Sequence, residues 1–168
     1  MSGPARKFGI ALFGLGRMGA IHARSILLSP RARLKWIVRN KLEEARKFAD
    51  TFDSPIQCVG PAQLDSVLAD DSVDAVIVCS PTSQHEPVIR AAIDAGKAIF
   101  SEKPITPSVD STRAIYELAE TKGVPLLCAF HRRFDASLMA VKESVASGQA
   151  GRLRLLRSSS HDHSPPPI

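Results

Sequence analysis

The stretch Gly14-Leu15-Gly16-Arg17-Met18-Gly19 decides the fold of this chain. It follows an apolar run over residues 8–13, and it opens a segment whose apolar residues recur at helical spacing until Ser29-Pro30. Three glycines so spaced let the chain turn off a strand, let backbone reach a pyrophosphate and let a helix pack on the strand. The pattern predicts a dinucleotide-binding turn, with phosphates on the free N–H groups at the helix start, and an ordinary tight turn is the alternative.

Short apolar runs alternate with longer helical patterns from residue 7 to residue 130. Such alternation is typical of βαβ units in a parallel sheet with helices on both faces. We therefore predict an α/β fold of the Rossmann type, a doubly wound parallel sheet of strand order 3-2-1-4-5-6 with ligands at the carboxyl ends of its strands. The predicted strands are 8–13, 34–38, 56–59, 75–79, 98–100 and 125–130, and the predicted helices between them include 41–52, 62–69, 84–95 and 109–122.

The pattern changes after residue 130. A helix is predicted over 136–147, followed by a strand over 152–157 that has no evident partner. Since isolated strands are unstable in water, this strand predicts the entrance to a second α/β domain that is otherwise missing, while an edge strand or a dimer contact stays open. We divide the chain into a nucleotide-binding domain, 1–131, and a connecting helix with the start of a truncated domain, 132–168.

Composition excludes several classes of protein. The 168 residues are 44% hydrophobic with few aromatic rings, which suits a globular domain with an aliphatic core. No stretch is long enough for a membrane span, and no apolar signal segment is present at the start, so we expect a cytoplasmic protein with no membrane partner. Cys58, Cys79 and Cys128 lack C-x-x-C spacing and are expected to be buried thiols. We predict no metal site, and interpret His161-Asp162-His163 as part of a solvated tail.

Positive charge is concentrated in the first third of the chain. Residues 1–47 hold 11 Lys and Arg against Glu43 and Glu44, which gives +9, while the whole chain is +5. This asymmetry favours a polyanionic partner, but the basic residues are scattered without aromatic interleaving, so no nucleic-acid partner is predicted. A phosphate-bearing cofactor near Arg17, Arg39 and Lys41 accounts for part of the bias, and solvated surface for most of the rest.

Further motifs at predicted strand ends join the glycine turn in a family resemblance. They are Cys79-Ser80-Pro81-Thr82 with His85, Ser101-Glu102-Lys103-Pro104, Phe130-His131-Arg132-Arg133-Phe134-Asp135 and Arg157-Ser158-Ser159-Ser160. With them the chain closely resembles the Gfo/Idh/MocA oxidoreductase family, above all its inositol 2-dehydrogenase-like members. The resemblance covers the N-terminal half of a typical member, and His131 replaces the family's usual Asn.

The resemblance implies the residues of a site. Lys103 would be the catalytic residue, since the family's lysine hydrogen-bonds the reacting hydroxyl, while Glu102 would pack near the nicotinamide ribose and Pro104 would fix their turn. Ser80, Pro81, Thr82 and His85 would flank the ribose and nicotinamide side. The full set of predicted cofactor contacts is Gly14, Gly16, Arg17, Met18, Gly19, Arg39, Asn40, Ser80, Pro81, Thr82, His85, Glu102, Lys103 and Arg132.

The end of the second predicted strand departs from the usual dinucleotide pattern. An acidic residue about twenty positions after the last glycine should accept hydrogen bonds from the adenosine ribose, yet the sequence here reads Trp36-Ile37-Val38-Arg39-Asn40-Lys41. A guanidinium at Arg39 suits a 2′-phosphate, so either NAD or NADP is the expected cofactor. Loss of adenosine affinity is the alternative.

Together these features predict an NAD(P)-dependent oxidoreductase that transfers a hydride from a secondary alcohol of a polyol or sugar such as myo-inositol. Because the family's second domain supplies the substrate pocket, we expect this chain to bind the dinucleotide yet be inactive alone, and a homo-oligomer remains open. A shortened, non-catalytic cofactor-binding or interaction protein is the alternative function. A methyltransferase is a more distant one, because it leaves the E-K-P segment unexplained.

Overall fold

The structure is a computed structural model that describes residues 6–159 and residue 161. Asp162 and His163 of the predicted solvated tail, and Ser160 of the last family motif, lie outside the described residues. The chain divides into two units, Met1–Ala129 and Phe130–Ile168. This division falls two residues before the boundary that the sequence suggests.

A parallel sheet forms the centre of the first unit. Within the described residues it has six strands in the order β3-β2-β1-β4-β5-β6, as the sequence predicts. Because all strands run the same way, the segments that follow β1, β4 and β5 meet at one edge, which we call the carboxyl edge. The strands are β1 Phe8–Phe13, β2 Ala32–Val38, β3 Gln57–Val59, β4 Ala75–Val78, β5 Ala98–Ser101 and β6 Leu126–Cys128.

Helices cover both faces of the sheet. On one face, Ile10 and Leu12 pack with Ala23 and Ile26 of the first helix, whereas on the other Val76 and neighbouring strand residues pack against the third, fourth and fifth helices. Such two-sided burial explains why the strands are nearly continuous apolar runs. The helices of this unit are α1 Arg17–Leu28, α2 Leu42–Ala49, α3 Leu64–Leu68, α4 His85–Asp94 and α5 Val109–Thr121.

The second unit contains a 3-10 turn, His131–Phe134, and helix α6, Ala136–Ala146. The Asp135 carboxylate caps α6 by accepting the Leu138 N–H at 3.0 Å. Leu138, Met139 and Val141 of this helix are exposed. None of the helices in the described part of the chain is long and apolar enough to cross a membrane.

One predicted element does not form. Residues 152–157 have no strand structure, although their alternating pattern predicts a strand. The physical reason is that no strand in the described part of the chain pairs with this segment, since backbone N–H and C=O groups gain strand hydrogen bonds only from a neighbouring strand. Element ends also shift: β2 begins at Ala32, two residues before the prediction, and β6 is confined to Leu126–Cys128.

Candidate functional site

The glycine turn lies directly after β1, and its glycines are required for close packing. Gly14 has a φ of 94°, and a Cβ there would lie 2.5 Å from the Ser80 nitrogen. A Cβ on Gly19 would lie 2.1 Å from the Gly14 carbonyl oxygen. The turn is therefore pressed against the end of β4 on one side and against α1 on the other.

Gly16 differs from its two neighbours. A Cβ at Gly16 would have no heavy atom within 4 Å, so packing within the protein does not require glycine here. Gly16 precedes Arg17, the first residue of α1, where backbone N–H groups lack intrahelical partners. The open space beside Gly16 is what close approach of a pyrophosphate to these N–H groups needs.

The segment after β4 adds a polar group to the same edge. Ser80 Oγ is buried, and none of the described residues forms a hydrogen bond with it. Pro81 and the 3-10 turn Thr82–Gln84 lead from there into α4. Since buried hydroxyls normally have a partner, this orphaned oxygen fits a hydrogen-bonding group held at the carboxyl edge.

His85 links the segments that follow β4 and β5. Its side chain is buried, with Nε2 at 2.8 Å from the Ser80 carbonyl oxygen and Nδ1 at 2.8 Å from the Pro104 carbonyl oxygen. Both ring nitrogens therefore lie within hydrogen-bonding distance of a backbone carbonyl oxygen. With both nitrogens facing backbone, His85 positions the two segments, and its direct contact with a cofactor remains a prediction.

The Glu102-Lys103-Pro104 segment follows β5. Glu102 Oε1 is 3.0 Å from His22 Nε2 of α1, and its Oε2 accepts the Lys103 N–H at 3.3 Å. The His22 ring also makes an edge contact with Phe100, at 5.2 Å between ring centroids. Lys103 is exposed, its peptide bond with Pro104 is cis, and its ammonium has no ion-pair partner among the described residues. The segment thus holds its glutamate against α1 and leaves its lysine accessible.

Arg39 lies at the end of β2, and its guanidinium is already engaged. One nitrogen donates to the Leu15 carbonyl of the glycine turn and another pairs with Glu44. Lys41 also contacts Glu44, at 3.1 Å, and the hydrogen bond from Lys41, together with Arg39, lowers the pKa of the Glu44 carboxyl. A carboxylate held between two cations beside the turn occupies the kind of position that a phosphate group would take.

The three cysteines are less uniform than the sequence suggests. Cys128 is buried, but Cys58 and Cys79 are only half-buried. Burial raises the pKa of Cys79 to about 12, with a further contribution from the Glu102 charge. A thiol in this state is not a nucleophile at neutral pH. Among the described residues, no three His, Cys, Asp or Glu side chains converge as metal ligands do.

The predicted site residues thus fall into two groups. Those of the first unit lie on segments that follow β1, β2, β4 and β5, while Arg132 lies in the 3-10 turn of the second unit. Sequence reasoning missed His22 and Glu44. The spacing of His22, three residues after the buried Gly19, places it on the sheet-facing side of α1 and was the signal available for it.

Comparison with known proteins agrees with this geometry. Residues 8–130 match the model of the Gfo/Idh/MocA oxidoreductase family, described as an oxidoreductase family with an NAD-binding Rossmann fold. Inositol 2-dehydrogenase of Rhizobium meliloti is 32% identical over 94% of this chain and 46% of its own length. Myo-inositol 2-dehydrogenase of Thermotoga maritima is 33% identical over 95% of this chain and 47% of its own length.

Solved structures give the same result. Scyllo-inositol dehydrogenase from Lactobacillus casei, with bound NAD(H) and scyllo-inositol, superposes with a TM-score of 0.78 at 28% identity, over 87% of this chain and 43% of that one. GenD2 from gentamicin A biosynthesis, in complex with NAD, has a TM-score of 0.78 at 30% identity, over 89% of this chain and 42% of that one. The chain spans about half the length of the relatives that it matches. It belongs to the Gfo/Idh/MocA oxidoreductase family and has the NAD-binding Rossmann fold of that family.

Proposed function

We propose that this chain is the nucleotide-binding half of an NAD(P)-dependent oxidoreductase that acts on a secondary alcohol of a polyol or sugar such as myo-inositol. The observation that carries the proposal is the carboxyl edge itself. There the open space at Gly16, the orphaned Ser80 hydroxyl and the exposed Lys103 follow three neighbouring strands. The inositol dehydrogenases among the relatives support the substrate class.

The residues present fit a nicotinamide dinucleotide. Gly14 and Gly19 shape the turn, and the first N–H groups of α1, at Arg17 and Met18, would hold the pyrophosphate beside Gly16. Ser80 and Thr82 would contact the ribose and nicotinamide side, with Pro81 fixing the backbone between them. When bound, the dinucleotide supplies the hydride acceptor.

Lys103 would act on the substrate hydroxyl. Its ammonium would donate a hydrogen bond to the alcohol oxygen and stabilise the negative charge that develops as the hydroxyl proton passes to a base of the second domain that the family resemblance implies for the complete enzyme. Through its contact with His22, Glu102 would hold the segment that carries Lys103 in place. We assign Lys103 the catalytic role and Glu102 the adjacent cofactor contact.

We further propose that Arg39 and Lys41 select for NADP, and that Asn40 contributes to the same adenosine subsite. A 2′-phosphate would displace the Glu44 carboxylate from between the two cations. The phosphate would then make the charge-assisted contacts with Arg39 and Lys41 that the carboxylate made before. NAD would instead leave Glu44 in place, with the carboxylate available to the ribose hydroxyls.

The test is a fluorescence titration of the purified chain with NADH and with NADPH. The proposal expects saturable binding of at least one cofactor, and tighter NADPH binding that Arg39→Asp weakens by about tenfold or more. Lys47→Ala, which removes an exposed cation elsewhere on α2, should leave both affinities within about twofold. Absence of binding of either cofactor by a folded chain would contradict the proposed function.

The chain alone should turn over little. The half of the relatives beyond the match has no counterpart in these 168 residues, and positioning of the alcohol contributes much of the rate. We expect no measurable polyol-dependent reduction of NAD or NADP by the chain, a cytosolic location and, for the complete enzyme, a homo-oligomer. Activity measurement, cell fractionation and size-exclusion chromatography with light scattering test these three expectations.

A further inference from the structure

A cavity lies at the amino ends of the strands, on the edge of the sheet opposite the glycine turn. Its volume is about 300 Å³. We call it the amino-edge cavity, and its lining residues are Arg6, Lys7, Gly9, Arg33, Lys35, Ser72 and Asp74. Four of these seven are cations and one is an anion.

The topology explains why the cations meet. Gly9 of β1 pairs with Arg33 of β2, and Lys7 lies just before the start of β1, two residues from Gly9, where it lines the same cavity. The register shifts between Ile10 and Ala11, and the stem of Lys35 lies beside Gly9. Gly9 has no side chain to fill the space, and a Cβ there would lie 1.8 Å from the Ser72 carbonyl oxygen.

The nearby carboxylates are occupied and leave positive charge in excess. Asp74 accepts the Gly9 N–H at 2.7 Å and pairs with Arg6 at 2.5 Å. Asp70 accepts from Trp36 Nε1 at 2.7 Å and from the Ser72 hydroxyl at 2.6 Å, and the charge of Lys35 contributes to lowering its pKa. Lys7 and Arg33 have no ion pair within the described ranges. Lys7 and Arg33 belong to the basic first third of the chain, and a cofactor bound at the opposite edge does not account for their charge.

The chemistry of the lining indicates the ligand. Two guanidinium and two ammonium groups around a small space suit the multiple oxygens of a phosphate chain. No aromatic ring lines the cavity among the residues that the structure describes, so a base would have no stacking surface. A cavity of this volume is at the lower end of the range for ligand sites.

We propose that the amino-edge cavity binds a short phosphate chain, a diphosphate or triphosphate, independently of the dinucleotide at the carboxyl edge. Arg33 and Lys7 hold the phosphate oxygens, and Lys35 and Arg6 complete the positive lining. The ligand is either a free polyphosphate or the phosphate tail of a nucleoside triphosphate.

Isothermal titration calorimetry of the full chain with sodium tripolyphosphate, at about 0.15 M ionic strength, tests the proposal. Trp36, the sole tryptophan, reports on the location because its indole shares Asp70 with Ser72 of the cavity. We expect saturable binding with half-saturation at or below about 1 mM and a change in Trp36 emission. Arg33→Ala and Lys7→Ala should each weaken binding by about tenfold, and Lys47→Ala by less than about twofold.

Further titrations separate the ligand sources and the two sites. ATP binding as tightly as tripolyphosphate, with no binding of adenosine, supports recognition of the phosphate tail, whereas binding of tripolyphosphate alone supports a free chain. NADH affinity should be unchanged by tripolyphosphate and by Arg33→Ala. The proposal is overturned by absence of saturable binding, by equal losses in Arg33→Ala and Lys47→Ala, by competition with NADH, or by tighter binding of single-stranded RNA. Failure of NADH binding alone would contradict the proposed function and leave this site unaffected.

Discussion

At the carboxyl edge of the sheet the chain presents backbone, whereas at the amino edge it presents charged side chains. The glycine turn offers N–H groups and open space at Gly16, and two of the cations near it, Arg39 and Lys41, are paired with Glu44. The amino edge offers Lys7 and Arg33 with no ion pair in the described part of the chain. The comparison shows that one sheet can present two different surfaces, one set by the path of the backbone and one by the type of side chain.

Each edge nevertheless depends on a glycine that touches backbone. Gly9 approaches the Ser72 carbonyl at the amino edge, and Gly19 approaches the Gly14 carbonyl at the carboxyl edge. In both cases the neighbouring atom is a backbone oxygen, which has no rotamer to adopt. Substitution at either position therefore moves the chain itself.

The largest expected effect is the loss of stability from Gly9→Ala. We expect the free energy of unfolding to fall by at least about 3 kcal/mol, because the segment before β4 must shift away from β1. Gly19→Ala should cost less, about 2 kcal/mol, since alanine also favours the helix by about 1 kcal/mol. Urea denaturation followed by circular dichroism measures both. Equal stability of Gly9→Ala and the unsubstituted chain would show that the two edges are not equally close-packed.

Gly16→Ala should separate binding from folding at the carboxyl edge. Its Cβ meets no protein atom within 4 Å, so the free energy of unfolding should fall by no more than about 1 kcal/mol, the cost of alanine in place of the N-cap glycine of α1. The same methyl group would occupy the space that a pyrophosphate needs, and the affinity for NADH or NADPH should fall by about tenfold or more. Parallel denaturation and fluorescence titration check the two halves of this prediction. Unchanged affinity would mean that the open space is not the phosphate position.

The contact between His22 and Glu102 should stabilise the observed conformation of the segment after β5 by about 1 kcal/mol. His22→Ala should weaken cofactor binding several-fold, and Glu102→Gln by more, because Glu102 is also a proposed cofactor contact. The double variant should bind the cofactor no more weakly than Glu102→Gln alone, since both changes remove the same ion pair. A double-mutant cycle on NADH affinity gives the coupling. Fully additive losses would show that the two side chains act separately.

The smallest expected effect is a loss of stability at low pH, and it comes from Asp70 at the amino edge. Hydrogen bonds from the Ser72 hydroxyl and then from Trp36 lower the pKa of Asp70 from 3.8 to about 2. A lowered folded-state pKa contributes stability above the unfolded value of 3.8, and that contribution is lost as the pH falls towards 2. Because Asp70 is partly exposed, we expect a loss of about 1 kcal/mol over this interval. Asp70→Asn should remove this pH dependence in urea denaturation, and an unchanged slope would assign it to other carboxylates.

Sequence reasoning was most successful where backbone geometry and apolar period determine the structure. The strand order and the Gly14 turn follow from glycine spacing and from alternating apolar runs, and the structure confirms them. The family assignment, carried by Glu102-Lys103-Pro104, is confirmed by the comparisons. The strand over 152–157 was wrong, because period alone does not supply a partner strand.

The sequence pattern did not predict contacts between side chains that are far apart along the chain. His22 and Glu102 are 80 positions apart, and only the packing of α1 beside β5 brings them together. Glu44 was counted as charge, yet it neutralises the same Arg39 that the sequence proposed for a phosphate. The grouping of Arg33 with Lys7 required the register of β1 and β2, which the basic composition did not contain.

The imidazole of His85 gives the carboxyl edge a mechanical property. One buried ring lies between the Ser80 and Pro104 carbonyls, so neither loop moves outward without breaking or straining the same pair of contacts. The two loops should consequently open together, with amide protons that exchange with solvent at one shared rate. A contact that displaces the loop after β4 would then displace Lys103 in the same opening motion.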